Sequence, residues 1–385
     1  MTERLYYQDC YLRDFTARVV ETADEGRRVY LDRTAFYPTS GGQPFDTGTL
    51  GGARVVEVIE EEDRVAHVLD APLSPGEIEG HVDWARRFDH MQQHSGQHLL
   101  SAVLEELFGI PTVSFHLGTE LSTIDVAAGA INEGQKERAE ERCAEIVREA
   151  RPLGISFEDA SADLGLRKES QRTGTLRVVS IEGIDRSGCG GTHVRTTAEI
   201  GPVFLRRTEK VRGNVRLEFV CGLRALRQAR ADFRTLQEVS RHLSVPPSET
   251  PALVAAQIER IAALEKANRR MATELAQREG KEKWAATEPG LDGIRRVMER
   301  TAIDDAMRVR AQAFVAQGHA VFLAVSENPP AILLAASADS GIHAGERVKA
   351  AVTAAGGRGG GNQALAQGSV PTGADLAAIA ESLSR

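Results

Sequence analysis

Residues 89–111 read DHMQQHSGQHLLSAVLEELFGIP. His94, Leu99, Val103, Leu104 and Leu107 recur at steps of three, four and five, so this stretch is expected to be a long amphipathic helix that Gly109 and Pro111 stop. Within it, His94 and His98 are four residues apart, on one helical face and within reach of a single metal ion. The position after His94 is Ser95, whereas HExxH proteases carry there the Glu that acts as general base. A zinc-protease reading is therefore excluded.

About ninety residues on, Cys189-Gly190-Gly191-Thr192-His193 sets a thiolate and an imidazole on either side of two glycines. The glycines permit a tight turn, so Cys189 and His193 can converge on one ion, and soft sulfur with imidazole suits zinc. Together the two pairs predict a site of His94, His98, Cys189 and His193 holding Zn²⁺. Four protein ligands close a tetrahedron and make a structural site, whereas catalysis needs an open position. Ser114, Phe115, His116, Thr123 and Asp125 follow the metal helix and are candidates to line such a position. Cys10, Cys143 and Cys221 have no ligand-like neighbours and read as structural thiols.

Upstream, ARVVETA, RRVYLDR, ARVVEVIEEE and VAHVLD alternate with turn signals, the pattern of a small antiparallel barrel or sandwich. Between them, PTSGGQPFDTG (38–48) carries Ser40, Gly41, Gly42, Gln43 and Asp46, a hairpin turn that also offers close backbone approach to a ligand. Downstream, TVSFHLG and STIDVAA read as strands, 132–150 as a charged helix, and RVVSIEG and the stretch from Glu199 as further strands. Leu226, Ala229, Phe233, Leu236, Ser240 and Leu243 then step by three and four, and after VPPSETP the stepping resumes through Ile261, Leu264, Asn268, Met271 and Leu275. The two runs predict an antiparallel helical hairpin whose seams pair within one chain or across a homodimer. Beyond Pro289, two helices (IRRVMERT and DDAMRVRAQAFVAQ), strands AVFLAVSE and AILLAAS, a helix near 346–355 and a glycine-rich tract alternate as in an α/β or α+β domain.

The chain has 385 residues, 47 basic and 55 acidic, for a net charge of −8. That balance argues against a polycation coating nucleic acid and makes any such contact local. Between Gly201 and Arg230 there are eight basic residues and two acidic ones, with Arg206, Arg207, Lys210 and Arg212 together, a field that suits a phosphate backbone or a solvated face. Gly359, Gly360, Gly361 and Asn362 belong to a tract that either wraps a phosphate or forms a loop. No apolar run approaches the roughly 18 residues of a membrane span, and the N-terminus lacks the layout of a signal peptide. A cytoplasmic protein with no membrane partner is expected.

HSGQH, CGGTH and PTSGGQPFDTG resemble the editing region of alanyl-tRNA synthetases and the free-standing alanyl-tRNA editing proteins of the AlaX family. The editing domain of threonyl-tRNA synthetase shares the HxxxH and CxxxH pairs. GGRGGGNQALAQG resembles the glycine-rich signature of the C-terminal domain of alanyl-tRNA synthetases, which DHH-type phosphoesterases also carry. A phosphoesterase would need an aspartate-rich DHH centre, and Asp89-His90-Met91 lacks that setting.

Because no aminoacylation core precedes the first strands, the resemblance implies the long form of the free-standing editor, acting in trans on alanine tRNA mischarged with serine or glycine. It implies zinc on His94, His98, Cys189 and His193, with His193 either a fourth ligand or displaced. Substrate contacts fall to Ser40, Gly41, Gly42, Gln43, Ser114, His116 and Thr123, and tRNA contacts to Arg206, Arg207, Lys210, Arg212, Gly359, Gly360, Gly361 and Asn362. The alternative function is a zinc-containing tRNA-binding module without activity. The expected fold is multidomain α+β: an N-terminal β-barrel (1–85), an α+β zinc editing domain (86–221), an antiparallel helical hairpin (222–286) and a C-terminal α/β domain (287–385).

Overall fold

The histidine-bearing stretch forms helix α1 (Trp84–Phe108) in a computed structural model that describes residues 1–169 and 173–384. Asp83 caps it by accepting a hydrogen bond from the Arg86 amide, and Gly109 ends it in the left-handed conformation at φ +64°. From His90 to Leu104 every residue of α1 is buried. Leu99, Leu100, Val103 and Leu104 anchor a core shared with the strands that follow. Gly96 is the closest approach: a Cβ there would overlap Cys221 Sγ on the strand behind.

The chain folds as two compact units, Met1–Val239 and Ser240–Arg385. The first opens with β1 (Glu3–Arg4), β2 (Asp14–Ala23), β3 (Arg28–Leu31), β4 (Arg33–Thr34), β5 (Gly48–Leu50), β6 (Ala53–Glu61), β7 (Arg64–Leu69) and β8 (Gly76–Val82). β1 and β4 form a short parallel pair, and the other six join in the ring β2-β3-β7-β6-β5-β8. Alternate residues of β2, namely Phe15, Ala17 and Val19, point inward onto Val29, Leu31, Leu50, Val55 and Val65.

After α1 come β9 (Thr112–Leu117), β10 (Ser122–Val126), α2 (Glu133–Arg148), β11 (Leu153–Asp159), β12 (Thr175–Ile181), β13 (Asp185–Gly188), β14 (Val203–Val211) and β15 (Asn214–Cys221). They make one antiparallel sheet in the order β14-β15-β10-β9 and a second in the order β11-β12-β13. A capping box between Asn132 and Gln135 starts α2. Helix α3 (Gly222–Leu243) leaves this unit.

The second unit holds α4 (Thr250–Ala286), β16 (Arg295–Arg300), α5 (Asp305–Val315), β17 (Ala320–Glu327), β18 (Pro330–Ala336), α6 (Ala344–Ala354), β19 (Arg358–Gly361), β20 (Leu365–Ser369) and α7 (Leu376–Ser384). The period of β17 divides its core: Val321, Leu323 and Val325 face α6 and α7, while Phe322 and Ala324 face α5.

These observations correct the expected fold class. The N-terminal strands are not a β-barrel domain standing by itself. Their ring closes only through three-residue β5, leaves β1 and β4 outside, and belongs to the same unit as everything up to Val239. The C-terminal sheet is mixed, with β16 and β17 parallel and its other pairs antiparallel, so that unit is α+β and not α/β. IRRVMERT supplies β16 where a helix was expected, because pairing with β17 outweighs the helix propensity of Arg, Met and Glu. The glycine-rich tract is not a loop but the hairpin β19–β20, in which Gly359 and Gly361 lie against the backbone of β20 too closely for a Cβ. Of the apolar residues that step along α3 and α4, Leu226, Phe233, Ile261, Leu264, Met271 and Leu275 are exposed.

Candidate active site

His94, His98, Cys189 and His193 meet at one point, each offering one ligand atom and all of these within 4.8 Å of one another. Cys189 Sγ lies 3.4 Å from His94 Nε2 and 3.3 Å from His193 Nε2. A tetrahedral ion with bonds of about 2.0–2.3 Å requires ligand atoms roughly 3.3–3.8 Å apart.

Each imidazole is oriented through its other nitrogen by a different partner. His94 Nδ1 meets Gln43 Oε1 at 2.8 Å, His98 Nδ1 meets Asp185 Oδ2 at 2.8 Å, and His193 Nδ1 meets Ser95 Oγ at 3.1 Å. Asp185 is steadied in turn by Arg167 Nε at 2.7 Å. Such partners set the tautomer and leave Nε2 free for an ion. Gly191 completes the arrangement, since a Cβ there would overlap the His94 ring.

Electrostatics agree with the geometry. Burial would raise the Cys189 thiol, but His94 and His193 beside it hold it well below its ordinary value, favouring thiolate. Burial brings His193 down to about 3, against the opposing pull of Cys189, so its ring is neutral and able to ligate. Burial also opposes the charged form of His98, yet hydrogen bonds to Asp185 and Cys189 carry it up to about 9. The residues fit a metal ion: a thiolate and three oriented imidazoles converge.

A cavity of about 670 Å³ opens beside the cluster, its wall including Tyr7, Tyr37, Ser40, Gln97, Ser114 and Phe115. The residues expected to touch substrate divide. Ser40, Gly41 and Ser114 line the cavity. Gly42 instead packs on Phe115, whose ring sits 5.4 Å from that of His94. Gln43 is fully buried behind His94, where it also accepts from the Thr192 amide at 3.1 Å and donates to Thr192 Oγ1 at 2.9 Å. It orients a ligand and does not face the cavity. His116 and Thr123 oppose each other across β9 and β10, away from the cavity wall.

Among the residues expected to touch tRNA, Lys210 and Arg212 are exposed at the β14 hairpin end, while Arg206 pairs with Asp232 and Arg207 with Glu218. Gly359, Gly360 and Gly361 are exposed on β19. Asn362 Oδ1 accepts from the Ala364 and Leu365 amides and closes the turn after it. Asp185, Ser95 and Gln97 escaped the sequence reading as site residues. Two of them stood inside HSGQH, but Asp185 lies 87 residues from the histidine it holds.

A ligand cluster of this composition beside a cavity defines a Cys-His₃ metal site. The family model for the threonyl and alanyl tRNA synthetase second additional domain matches residues 176–218, which carry Asp185, Cys189 and His193. The alanyl-tRNA editing protein AlaX-L of Pyrococcus horikoshii is 35% identical over 269 residues, 66% of each chain. The alanyl-tRNA editing protein Aarsd1 of Danio rerio is 31% identical over 290 residues, 70% of each chain. The alanine–tRNA ligase of Pyrococcus abyssi is 32% identical over 273 residues, 65% of this chain but 29% of the ligase. The chain belongs to the alanyl-tRNA editing protein family. It spans 66% of the archaeal editing protein's length and 60% of the Mus musculus one. No described helix is long and apolar enough to cross a membrane.

Proposed function

We propose that this chain is a zinc-dependent aminoacyl-tRNA deacylase that hydrolyses the ester of alanine tRNA mischarged with serine, and with glycine to a lesser extent. The observation that carries the reading is the convergence of His94, His98, Cys189 and His193 at the edge of a cavity large enough for an aminoacyl group. The donor set of one thiolate and three imidazoles is an ordinary one for zinc. When bound, zinc would supply Lewis-acid polarisation of a carbonyl or a more acidic water.

The chain's own residues do the rest. Gln43, Asp185 and Ser95 hold the three rings in one tautomer and one orientation. Phe115 and Tyr37 give the cavity an apolar flank that limits water, and Ser40 offers a hydroxyl to the ester, while that of Ser114 donates to Asp125. Lys168 on the same wall brings a positive charge suited to a terminal phosphate of an RNA, while Arg4 and Arg167 there are paired with Glu60 and Asp185. The exposure of Lys210 and Arg212 at the β14 hairpin supports their assignment to tRNA contact. The exposed apolar residues of α3 and α4 support a homodimer, and a monomer at all concentrations in sedimentation would exclude it. The four free thiols support a cytoplasmic location.

The test is deacylation of seryl-, glycyl- and alanyl-tRNA(Ala), with and without a zinc chelator. Rapid loss of the seryl ester, sparing of the alanyl ester, and loss of activity on chelation with recovery on added zinc are expected. A protein that binds tRNA and zinc yet cleaves none of the three would instead be the binding module, with all four ligands closing the site.

A further inference from the structure

One bonding group on the cavity wall has no partner among the described residues. Gln97, 3% exposed, precedes His98 on α1 and lines the cavity. Its Nε2 donates to Ser101 Oγ at 2.9 Å, and Ser101 Oγ also accepts from Thr112 Oγ1 at 2.7 Å, so the amide is held in place. Its Oε1 is buried and has no hydrogen-bond partner among the described residues. Buried amide oxygens left without a donor are costly and uncommon in folded proteins. Beside a ligand cavity, such an atom points to a donor that the ligand brings.

We propose that Gln97 Oε1 accepts a hydrogen bond from the side-chain hydroxyl of the misattached serine, and that this contact separates serine from alanine. The proposal rests on the deacylase reading above. The same ester carries two other donors, the α-ammonium, which Glu169 on the same wall meets better as a carboxylate, and the free hydroxyl of the terminal ribose; both are shared with the glycyl ester, so the comparison of seryl with glycyl rates isolates the side-chain hydroxyl. The neutral amide oxygen suits the neutral hydroxyl. An alanyl ester in this position would bury Oε1 against a methyl group and leave it unpaired. A site built to bond a hydroxyl rejects an analogue lacking it far more strongly than an apolar pocket discriminates by size. A glycyl ester likewise gains nothing from Gln97, which makes it the internal reference.

The experiment measures kcat/KM on seryl-, glycyl- and alanyl-tRNA(Ala) for the wild type, Gln97→Met and Gln97→Glu, together with bound zinc and melting temperature. Gln97→Met keeps the length of the side chain and removes the acceptor. It should lower the seryl-to-glycyl ratio at least tenfold while zinc stays stoichiometric. Gln97→Glu keeps an acceptor, with Ser101 able to donate to its second oxygen, and should restore part of the ratio. Equal loss of seryl and glycyl activity in zinc-loaded Gln97→Met overturns the assignment, because the residue would then act on something both esters share. If Gln97→Met loses zinc or melts early, Ser101→Ala, which frees the amide to turn, takes its place with the same two outcomes. A zinc-loaded wild type inert on all three esters would overturn the deacylase reading itself, whatever the variants do.

Discussion

Two buried polar assemblies lie about two turns apart on α1, and they are built in opposite ways. Arg87, with no exposed surface, donates to both oxygens of Asp46, to the Cys10 carbonyl at 2.8 Å and to the Ala35 carbonyl at 2.5 Å, while Asp46 also accepts from the Tyr37 amide at 2.7 Å. Its bonding capacity is spent inside the protein. The cluster around His94 and His98 is just as buried, yet its ε nitrogens, a thiolate and the Gln97 oxygen keep capacity in reserve. Burial and polarity are common to both, so neither marks function. Unspent bonding capacity in residues that line a cavity is what separates a site from a strut.

The largest effect that would sharpen this contrast comes from Cys189→Ser. Bound zinc should fall to near zero and single-turnover hydrolysis of the seryl ester by about a thousandfold or more, with only a small change in melting temperature. Full zinc retention would break the contrast.

Arg87→Met should do the reverse. It strands the Asp46 carboxylate and should cost about 3–5 kcal/mol in urea denaturation, as removing one partner of a buried ion pair does. Zinc bound per folded molecule should stay near one. If this variant lost zinc while remaining folded, the two assemblies would not be independent.

A smaller loss is expected from Asp185→Asn, which keeps the shape but weakens the hold on His98. Zinc affinity measured by chelator competition should drop about 10–100-fold. An unchanged affinity would mean that Asp185 serves only Arg167.

The last effect belongs to the ring and is confined to acid pH. His67 is fully buried, with Nε2 2.9 Å from Thr34 Oγ1, and burial lowers it to about 4. Below about pH 6.5 the unfolded chain takes up a proton that the folded chain refuses. Stability contributed by the neutral ring is therefore full above that pH and is lost as pH falls toward 4, by at most ~1.4 kcal/mol per pH unit. His67→Gln should flatten the melting-temperature profile across this window. An identical profile would assign the acid sensitivity to other groups, His90 first, which burial brings down to about 3.

How much of this could be read from the chain follows from the range of each interaction. HSGQH and CGGTH declared themselves because a ligand pair four residues apart is a local pattern. Strands of the ring showed in their alternation for the same reason. β16 was misread because its residues favour a helix, and only its register with β17 makes it a strand. The glycine tract resembles a loop in composition, while its reason for being glycine lies across the hairpin in β20. The heptad stepping of α3 and α4 describes a face without naming what covers it. Gln43 was found, but as a substrate contact, because no spacing rule reveals that a side chain 51 residues away holds His94.

Gln43 bonds His94 on one side and Thr192 on the other, so a residue of the first segment indexes ligands carried by two later ones. A ribosome delivers these parts in order: the seat, then the helix, then the cysteine loop. A fragment beginning after the ring would retain every ligand and lose the template that aims them. Grafting the two ligand motifs onto another scaffold would meet the same difficulty, since the metal-binding pattern and the part that calibrates it are inherited from different stretches of the chain.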